Sequence, residues 1–305
     1  MSTSLTTSAG NRVVTKRRRR WCDSLAPYLF IFPFAVFFLA LFLGPTIYAL
    51  ALSFFRYSCF GSATWVGLTN YQVMLGYNVF WAEMFNVLFY WLAHAIPMFV
   101  FAFMLALLVH SEAVKHKRFF KPMIFVPQVV ASAASALLFQ NFFGTNYGIL
   151  NHLMGTQIPW LTDPNTSKWA VVTVMIWRST GYWFVILLAG LTSISTEVIE
   201  AAKVDGANAW QRMTRVTIPL MRNTFLFCFV VDAIVTVRLF AEPNILAGKP
   251  GTLASVDMAP VLNLVVENIR SGQFGLAAAV GWLMFVVIAA VSWLQFRIFR
   301  ENARD

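Results

Sequence analysis

The stretch Glu200-Ala201-Ala202-Lys203-Val204-Asp205-Gly206-Ala207, which runs on towards Ile218-Pro219, decides the fold of this chain. It is polar and charged, yet apolar segments of membrane length flank it on both sides. A charged segment between two membrane spans lies in water at the membrane face, since charge in the hydrocarbon is expensive. We therefore expect a helical surface patch that another protein can contact.

The composition favours a bilayer as the solvent for most of the chain. The 305 residues are 59% hydrophobic and 12% charged, whereas soluble domains are about 25% charged. So many apolar side chains cannot all be buried in one soluble core. We predict an all-α membrane protein.

Six apolar segments have about the 20 residues that a membrane-spanning helix needs. They lie at 27–52, 84–109, 122–143, 169–191, 223–240 and 275–296. The first exceeds the roughly 7–15 apolar residues of a secretory signal, so we interpret it as an uncleaved span, with a secretory or twin-arginine signal as the alternative. We predict a basic cytoplasmic tail at 1–26 and a membrane domain at 27–300.

Lysine and arginine are distributed unevenly between alternate loops. Of the 23, 17 lie in the tail, the loops 110–121 and 193–222 and the C-terminal end, four lie in the other loops, and two lie in spans. Because loops rich in positive charge stay inside the cell, both termini and the 193–222 loop are predicted to be cytoplasmic. The net charge of +10 then needs no nucleic acid as a partner.

The sequence contains no pattern that would make the chain an enzyme. There is no phosphate-binding loop of the G-x-x-x-x-G-K-[ST] type and no recognisable Ser/His/Asp arrangement. The four histidines lack metal-ligand spacing, and the three cysteines lack a C-x-x-C pair. We predict no catalytic residue, no metal site and no cofactor in this chain, so energy for any work must come from a partner.

The loop 193–222 is predicted to begin with a short helix. Ser195 can cap that helix, and Glu197 in its first turn complements the helix dipole. Ala201 and Ala202 are strong helix formers whose small side chains let the helix lie deep in a groove of a partner.

A turn and a second helix are predicted to follow. Gly206 can end the first helix by adopting a positive φ, and Asp205 can cap the next turn. Trp210 begins an apolar stripe at helical spacing, and Pro219 stops the second helix and redirects the chain into the fifth span. We call residues 195–219 the elbow. The alternative is an amphipathic linker that rests on lipid headgroups.

Three charged residues lie within the predicted spans, where a charge at the helix centre costs about 2.5–3.5 kcal/mol. They are Arg178, Asp232 and Arg238, and we predict that they line a substrate pathway. An ion pair between Arg178 and Asp232 is the structural alternative. Among the many aromatic residues, Trp177 or Trp183 could stack on a substrate.

The pattern Glu-Ala-Ala-x-x-Asp-Gly-Ala at 200–207, followed by Trp210 and Ile218-Pro219-Leu220, resembles the EAA loop of type I ABC importer permeases. Other stretches are similar to the sugar-transporting branch of that family, the maltose and glycerol-phosphate type; they lie at 65–71, 147–151, 159–161, 189–191, 274–275 and 277–279. The family's usual Phe-Asp after the fifth span is replaced here by Phe240-Ala241-Glu242-Pro243.

The resemblance implies a permease with a transmembrane core at about 84–296 and a coupling-helix elbow between spans four and five. It implies a second homologous permease, two ATPase subunits that bind ATP and Mg, an extracytoplasmic solute-binding protein, and the cytoplasmic membrane of a bacterium. By position, the segment that docks on the ATPase would comprise Glu200, Ala201, Ala202, Asp205, Gly206 and Ala207.

The expected function is import of a sugar or sugar-like solute by alternating access. A cargo of glycerol phosphate, a glycerophosphodiester or an oligopeptide is the alternative within the family. Outside it, the chain could be a secondary transporter with His94, Asp232 or Arg178 as ion sites, or a membrane scaffold that recruits a soluble partner.

Overall fold

A computed structural model describes most of the chain, in the ranges 21–58, 61–111, 114–248, 254–255 and 257–301. Residues 1–20 of the predicted basic tail therefore lie outside the described residues. The remainder of that predicted tail is helical, since the first helix begins at Trp21.

Helices make up nearly all of the described structure. In chain order they are α1 Trp21–Phe38, α2 Gly44–Ser53, α3 Thr69–Leu75, α4 Asn78–His110, α5 Lys117–Val129, α6 Ser132–Phe142, α7 Ile149–Met154, α8 Pro164–Thr192, α9 Thr196–Val204, α10 Ala209–Arg212, α11 Ile218–Leu220, α12 Arg222–Thr236, α13 Ala241–Leu246, α14 Leu262–Arg270 and α15 Phe274–Glu301. Two π-helical turns, Leu39–Leu43 and Met213–Thr217, link α1 to α2 and α10 to α11. A short antiparallel hairpin pairs β1 (Phe55–Arg56) with β2 (Thr64–Trp65).

Four helical stretches are long and apolar enough to cross a membrane: Tyr28–Ser53, Asn78–His110, Pro164–Thr192 and Phe274–Ile298. Two bent pairs raise the number to six if each counts as one span. The pair α5 and α6 covers the third predicted span but bends by 90° between Val129 and Ser132. The pair formed by residues 209–220 and α12 bends by 63°.

The chain divides into two compact units, residues 1–49 and 50–305. The described part of the first unit is helical, and its apolar side chains are largely exposed, as suits a helix whose solvent is lipid. The Thr46 hydroxyl donates a hydrogen bond to the carbonyl of Phe42 at 2.7 Å. This hydroxyl therefore finds its partner within the helix.

The second unit is built around the long helices α4 and α8, which pack along each other. One buried cluster near their middle and elbow ends includes Phe103, Phe184 and Leu187. Helix α5 packs on α8 through Gly181, where an added Cβ would collide with the carbonyl oxygen of Ile124. The absent side chain is what lets the two helices approach so closely.

Two buried asparagines organise the connections between helices. Asn70 donates to the carbonyls of Ser53 at 2.8 Å and Phe55 at 2.9 Å, and Gly275 at the start of α15 lies directly against that Phe55 carbonyl. The side chain of Asn151 accepts from the indole N–H of Trp160 at 2.7 Å. These contacts give structural roles to one residue in each of the stretches 65–71, 147–151, 159–161 and 274–275, namely Asn70, Asn151, Trp160 and Gly275.

Candidate functional site

The first helix of the elbow forms as its sequence predicts. The Ser195 hydroxyl accepts from the Glu197 amide at 3.2 Å and caps α9. At the other end, the Gly206 amide donates to Lys203 O and the Ala207 amide to Ala202 O, each at 3.0 Å. This pair of bonds is a Schellman motif, and it requires the left-handed φ of +79° that Gly206 adopts.

The cap of the second helix is Asn208, and the prediction of Asp205 in this role was wrong. Asn208 Oδ1 accepts from the Gln211 amide at 2.8 Å, and Gln211 Oε1 accepts from the Asn208 amide at 2.9 Å. This reciprocal arrangement is a capping box. Because the Schellman motif uses Gly206 and Ala207, the cap of the next helix lies three residues later than predicted.

The chain turns into α12 at Met221, not at Pro219 as predicted. Pro219 lies in the first turn of α11, where its missing N–H leaves no bond unmade. The 63° bend falls after Leu220, and Met221 is buried there. The bend that follows the elbow therefore lies at a residue embedded in the helix bundle.

Both ends of the elbow are anchored to the bundle. Ile194 and Met213 pack against the cluster that contains Met221. A Cβ on Gly190 of α8 would lie 3.0 Å from Thr224 of α12, so α8 and α12 approach closely beside the elbow.

The predicted docking residues face away from that anchor. Glu200, Ala201, Asp205 and Gly206 are exposed, whereas Ala202 and Ala207 are half-buried. Val204, which lies between these residues in the chain, is 88% exposed, and Trp210, predicted to begin an apolar stripe, is exposed as well. The elbow thus presents a surface of small, charged and apolar groups without cover from the described residues.

A cavity of about 410 Å³, with both polar and apolar side chains on its wall, lies between the helices of the second unit. It is lined by parts of α4, α5, α6, α8, α12 and α13. The three charged residues predicted to line a pathway, Arg178, Asp232 and Arg238, all lie on its wall. The structure therefore brings together residues from separate predicted spans.

Asp232 is held by α4 and α8. Its Oδ1 lies 3.3 Å from Nε2 of His94 and accepts from the indole N–H of Trp183 at 3.1 Å. The other ring nitrogen of His94 faces the Tyr90 carbonyl at 2.9 Å, which can only accept, so that nitrogen carries a proton. One oxygen of Asp232 therefore faces both a ring nitrogen of His94 and the indole N–H of Trp183, which ties α12 to α4 and α8.

Arg178 pairs with Glu242 of α13, and the predicted alternative of an Arg178–Asp232 pair is wrong. Arg178 Nε lies 3.3 Å from Glu242 Oε1, with side chains 25% and 4% exposed. The two atoms lack hydrogen-bond geometry, so the contact is one between charges. Glu242 was missed because α13 lies outside the six predicted spans, although its acidic residue at a departure from the family pattern was a usable signal.

The aromatic residues of the cavity differ from the predicted ones. Trp183 lies on the wall, but its ring is buried and its N–H is used by Asp232. Trp177 is outside the wall and packs against Phe139, with ring centroids 5.4 Å apart. Tyr182 and Phe240 line the cavity instead.

The elbow and the cavity share two helices. Trp183 of α8 lies nine residues before the end of that helix at Thr192, which is about 14 Å at 1.5 Å per residue. Asp232 of α12 lies ten residues after its start at Arg222, about 15 Å along the helix. The elbow and the cavity wall are therefore connected by two continuous helices.

No group of three or more His, Cys, Asp or Glu side chains that could hold a metal occurs within the described ranges. The arrangement is chemically that of a binding cavity, since it offers hydrogen-bonding groups and no nucleophile next to a base.

Several apolar helices around a polar cavity, with an exposed helix–turn–helix joined to two of them, define a membrane permease. Residues 73–301 match the family described as "Binding-protein-dependent transport system inner membrane component". The chain belongs to this family, because the match covers well over half of its length.

Relatives and a solved structure agree with that assignment. The chain is 29% identical to the probable ABC transporter permease protein YesP of Bacillus subtilis, over 95% of this chain and 96% of YesP. It is 30% identical to the lactose transport system permease protein LacF of Rhizobium radiobacter, over 73% of this chain and 77% of LacF. It shares its fold, with a TM-score of 0.78 and 21% identity over 92% of this chain and 96% of the other, with a bacterial ABC transporter that imports the acidic polysaccharide alginate.

The chain is thus a membrane-embedded ABC importer permease and not an enzyme; ATP hydrolysis belongs to a separate subunit. Membership of a binding-protein-dependent family decides against the secondary transporter and the scaffold as alternatives.

Proposed function

We propose that this permease forms the pathway by which a sugar or sugar-like solute crosses the cytoplasmic membrane of a bacterium. The observation that carries the proposal is the shared use of α8 and α12 by the elbow and the cavity. A permease needs this connection, because an energy source outside the membrane must act on a solute site inside it.

The mechanism is alternating access. ATP binding closes a pair of ATPase subunits, and the docked elbow moves with them. Because Met213 and Met221 anchor the elbow in the bundle, α8 and α12 follow, and the cavity changes the face to which it opens. ATP and Mg are bound by the ATPase and by no residue of this chain.

The proposed topology has six spans with both termini and the elbow in the cytoplasm. Six crossings follow if each of the two bent pairs crosses once in addition to the four long helices, and the distribution of lysine and arginine supports their direction. A second homologous permease completes the pathway, and a solute-binding protein delivers cargo to the opposite face. The docking segment comprises Glu200, Ala201, Ala202, Asp205, Gly206 and Ala207.

A sugar cargo is supported by the name of LacF, a lactose permease 30% identical to this chain, and by the polar wall of the cavity. Sugars bind to proteins through many hydrogen bonds, and the cavity offers carboxylate, amide, hydroxyl and guanidinium groups.

Uptake by the reconstituted complex tests the function. The permease, its second permease, its ATPase and its binding protein are placed in proteoliposomes, and entry of tritiated di- and trisaccharides is measured. We expect uptake only with ATP on the ATPase side. Uptake driven by a proton gradient without ATP, or no uptake of any saccharide, would contradict the proposal.

Cross-linking tests the docking surface separately. A photo-reactive amino acid at Val204, which is 88% exposed, should label the ATPase. The same probe at Trp65, which is 65% exposed on the predicted external side, is the control and should not. Labelling of the ATPase from Trp65, or from neither position, would count against the elbow as its docking site.

A further inference from the structure

Four buried polar atoms of the cavity wall make no hydrogen bond to the protein, although two of them, on Arg178 and Glu242, face each other as charges. Asp232 Oδ2, Glu242 Oε1 and Gln128 Oε1 are buried acceptors with no hydrogen bond, and Arg178 Nε is a buried donor with none. All four residues line the same cavity. Because buried polar groups in folded proteins are nearly always hydrogen-bonded, four in one cavity point to a ligand that meets them.

We propose that this cavity selects a neutral, polyhydroxylated ring and rejects anionic solutes such as uronic acids and sugar phosphates. The inference rests on the proposed transport function and assigns the chemical class of its cargo. A hydroxyl offers one donor and two acceptors, so a ring with several hydroxyls can serve all four groups. A carboxylate or phosphate at pH 7 brings essentially only acceptors and leaves the three acceptor atoms unmet.

The charges of the wall point the same way. The guanidinium of Arg178, which in the sequence favoured an anionic cargo, lies 3.3 Å from the carboxylate of Glu242. His94, the other basic side chain on the buried wall, lies 3.3 Å from the acidic side chain of Asp232. Arg238 is exposed on the wall, where water and salt screen its charge. The buried part of the cavity thus holds no uncompensated positive charge among its described residues.

The shape and the apolar surfaces suit a sugar ring. A volume of about 410 Å³ falls within the ~300–1,000 Å³ of small-molecule sites. Tyr182 and Phe240 lie on the wall with partly exposed rings. Aromatic faces of this kind pack on the C–H face of a sugar, while its hydroxyls reach the polar groups around the edge.

Equilibrium binding to the purified full complex in lipid nanodiscs, without its binding protein, tests the proposal. The probes are tritiated maltotriose, galactotriose, arabinotriose and xylotriose, together with trigalacturonate and glycerol 3-phosphate. We expect at least one neutral trisaccharide to bind saturably, and both anions to bind at least tenfold more weakly than the best neutral probe.

The variant Glu242→Gln sharpens the test, because it removes the charge that compensates Arg178 while keeping the size of the side chain. We expect weaker binding of the neutral probe by about fivefold and stronger binding of trigalacturonate by about tenfold. Glu267→Gln is the matched control, since Glu267 is exposed and lies outside the cavity wall, and it should leave both affinities unchanged.

Three results would overturn the proposal: an anion that binds as well as the best neutral probe, no binding of any neutral trisaccharide, or a selectivity that Glu242→Gln leaves unaltered. The ATPase activity and subunit composition of the same samples separate this failure from failure of the proposed function. A complex that assembles and hydrolyses ATP, yet shows one of these results, refutes only the neutral-sugar assignment.

Discussion

The elbow is stabilised by hydrogen bonds between residues that are close in sequence, whereas the cavity is stabilised by contacts between distant parts of the chain. In the elbow, the cap of α10 joins Asn208 to Gln211 only three residues away. In the cavity, His94 and Asp232 are separated by 138 residues, and Trp183 reaches Asp232 over 49. The elbow therefore keeps its shape through hydrogen bonds between residues close in sequence. The cavity, in contrast, forms only when the helices have packed together.

The largest effect is expected from Asp232→Leu, which removes contacts between residues that are distant in sequence. The change leaves the indole N–H of Trp183 and the imidazole of His94 without their shared acceptor, at about 1–3 kcal/mol for each buried group. We expect uptake to be lost and the thermal unfolding temperature of the purified chain to fall.

Asp163→Asn is the control for Asp232→Leu. Asp163 caps α8 at an exposed site by accepting from the Asn165 amide at 2.9 Å, and asparagine caps helices as well as aspartate does. Both uptake and unfolding temperature should stay at the wild-type level. Equal losses for the two changes would show that the buried contacts of Asp232 matter no more for uptake and stability than an exposed helix cap.

A smaller but clear loss is expected from Gly181→Ala. The new methyl group meets the carbonyl of Ile124 on α5, and overpacking of this kind costs about 1–3 kcal/mol. Because Tyr182 and Trp183 of the cavity wall follow directly, we expect uptake to fall several-fold, measured in proteoliposomes at equal protein content.

The matched control is Gly281→Ala in α15, where a Cβ would meet no atom within 4 Å. Alanine there improves helix propensity by about 1 kcal/mol, so stability should rise slightly and uptake should not change. A similar loss at both glycines would show that the close approach of α5 and α8 is unimportant.

In the elbow, Gly206→Val should reduce transport, whereas insertion of the chain into the membrane should be unaffected. Valine in the left-handed conformation that Gly206 adopts, with φ +79°, costs about 1–2 kcal/mol, which corresponds to roughly a tenfold shift in the population of the intact elbow. The measurement is uptake together with ATPase activity, and we expect uptake to fall more than hydrolysis.

Gly155→Val controls for the strain itself. Gly155 ends α7 with φ +64° and, like Gly206, has no atom within 4 Å of an added Cβ. It lies outside the elbow, so transport should persist. If both changes impair transport equally, a general folding defect and not the elbow is responsible.

The smallest effect is expected from Asn208→Ala, which removes one half of the capping box at a cost of about 1 kcal/mol. We expect a two- to threefold reduction of uptake that grows with temperature. Asn208→Asp restores an acceptor at the cap and should rescue uptake; failure of this rescue would mean that the amide acts other than as a cap.

The same distinction explains what could be predicted from the sequence. Ser195 and Gly206 were recognised in their structural roles because capping depends on neighbours in the chain. The shift of the second cap from Asp205 to Asn208 was missed because the Schellman motif extends two residues beyond the helix. The predicted docking role of residues 200–207 remains a prediction.

The cavity was predicted only in its parts. Arg178, Asp232 and Arg238 were recognisable because a charge within a span is expensive. Their partners were not, because pairing depends on how helices rotate and where they break. The 90° bend between α5 and α6 and the return of α13 into the bundle place Gln128 and Glu242 on the wall, and neither is encoded in a local pattern.

The contact of Gly190 with Thr224 and Met221 limits how the two helices of the cavity can move. With α8 and α12 in contact at the elbow, their separation there is nearly constant, and relative motion is largest at their opposite ends. Under the proposed topology, the ends of α8 and α12 that stay in contact lie in the cytoplasm, and the two helices separate by pivoting about this contact. The distance between Arg178, at the middle of α8, and Glu242 of α13, which follows α12 in the chain, becomes a natural reporter of how far the two helices separate beyond this contact.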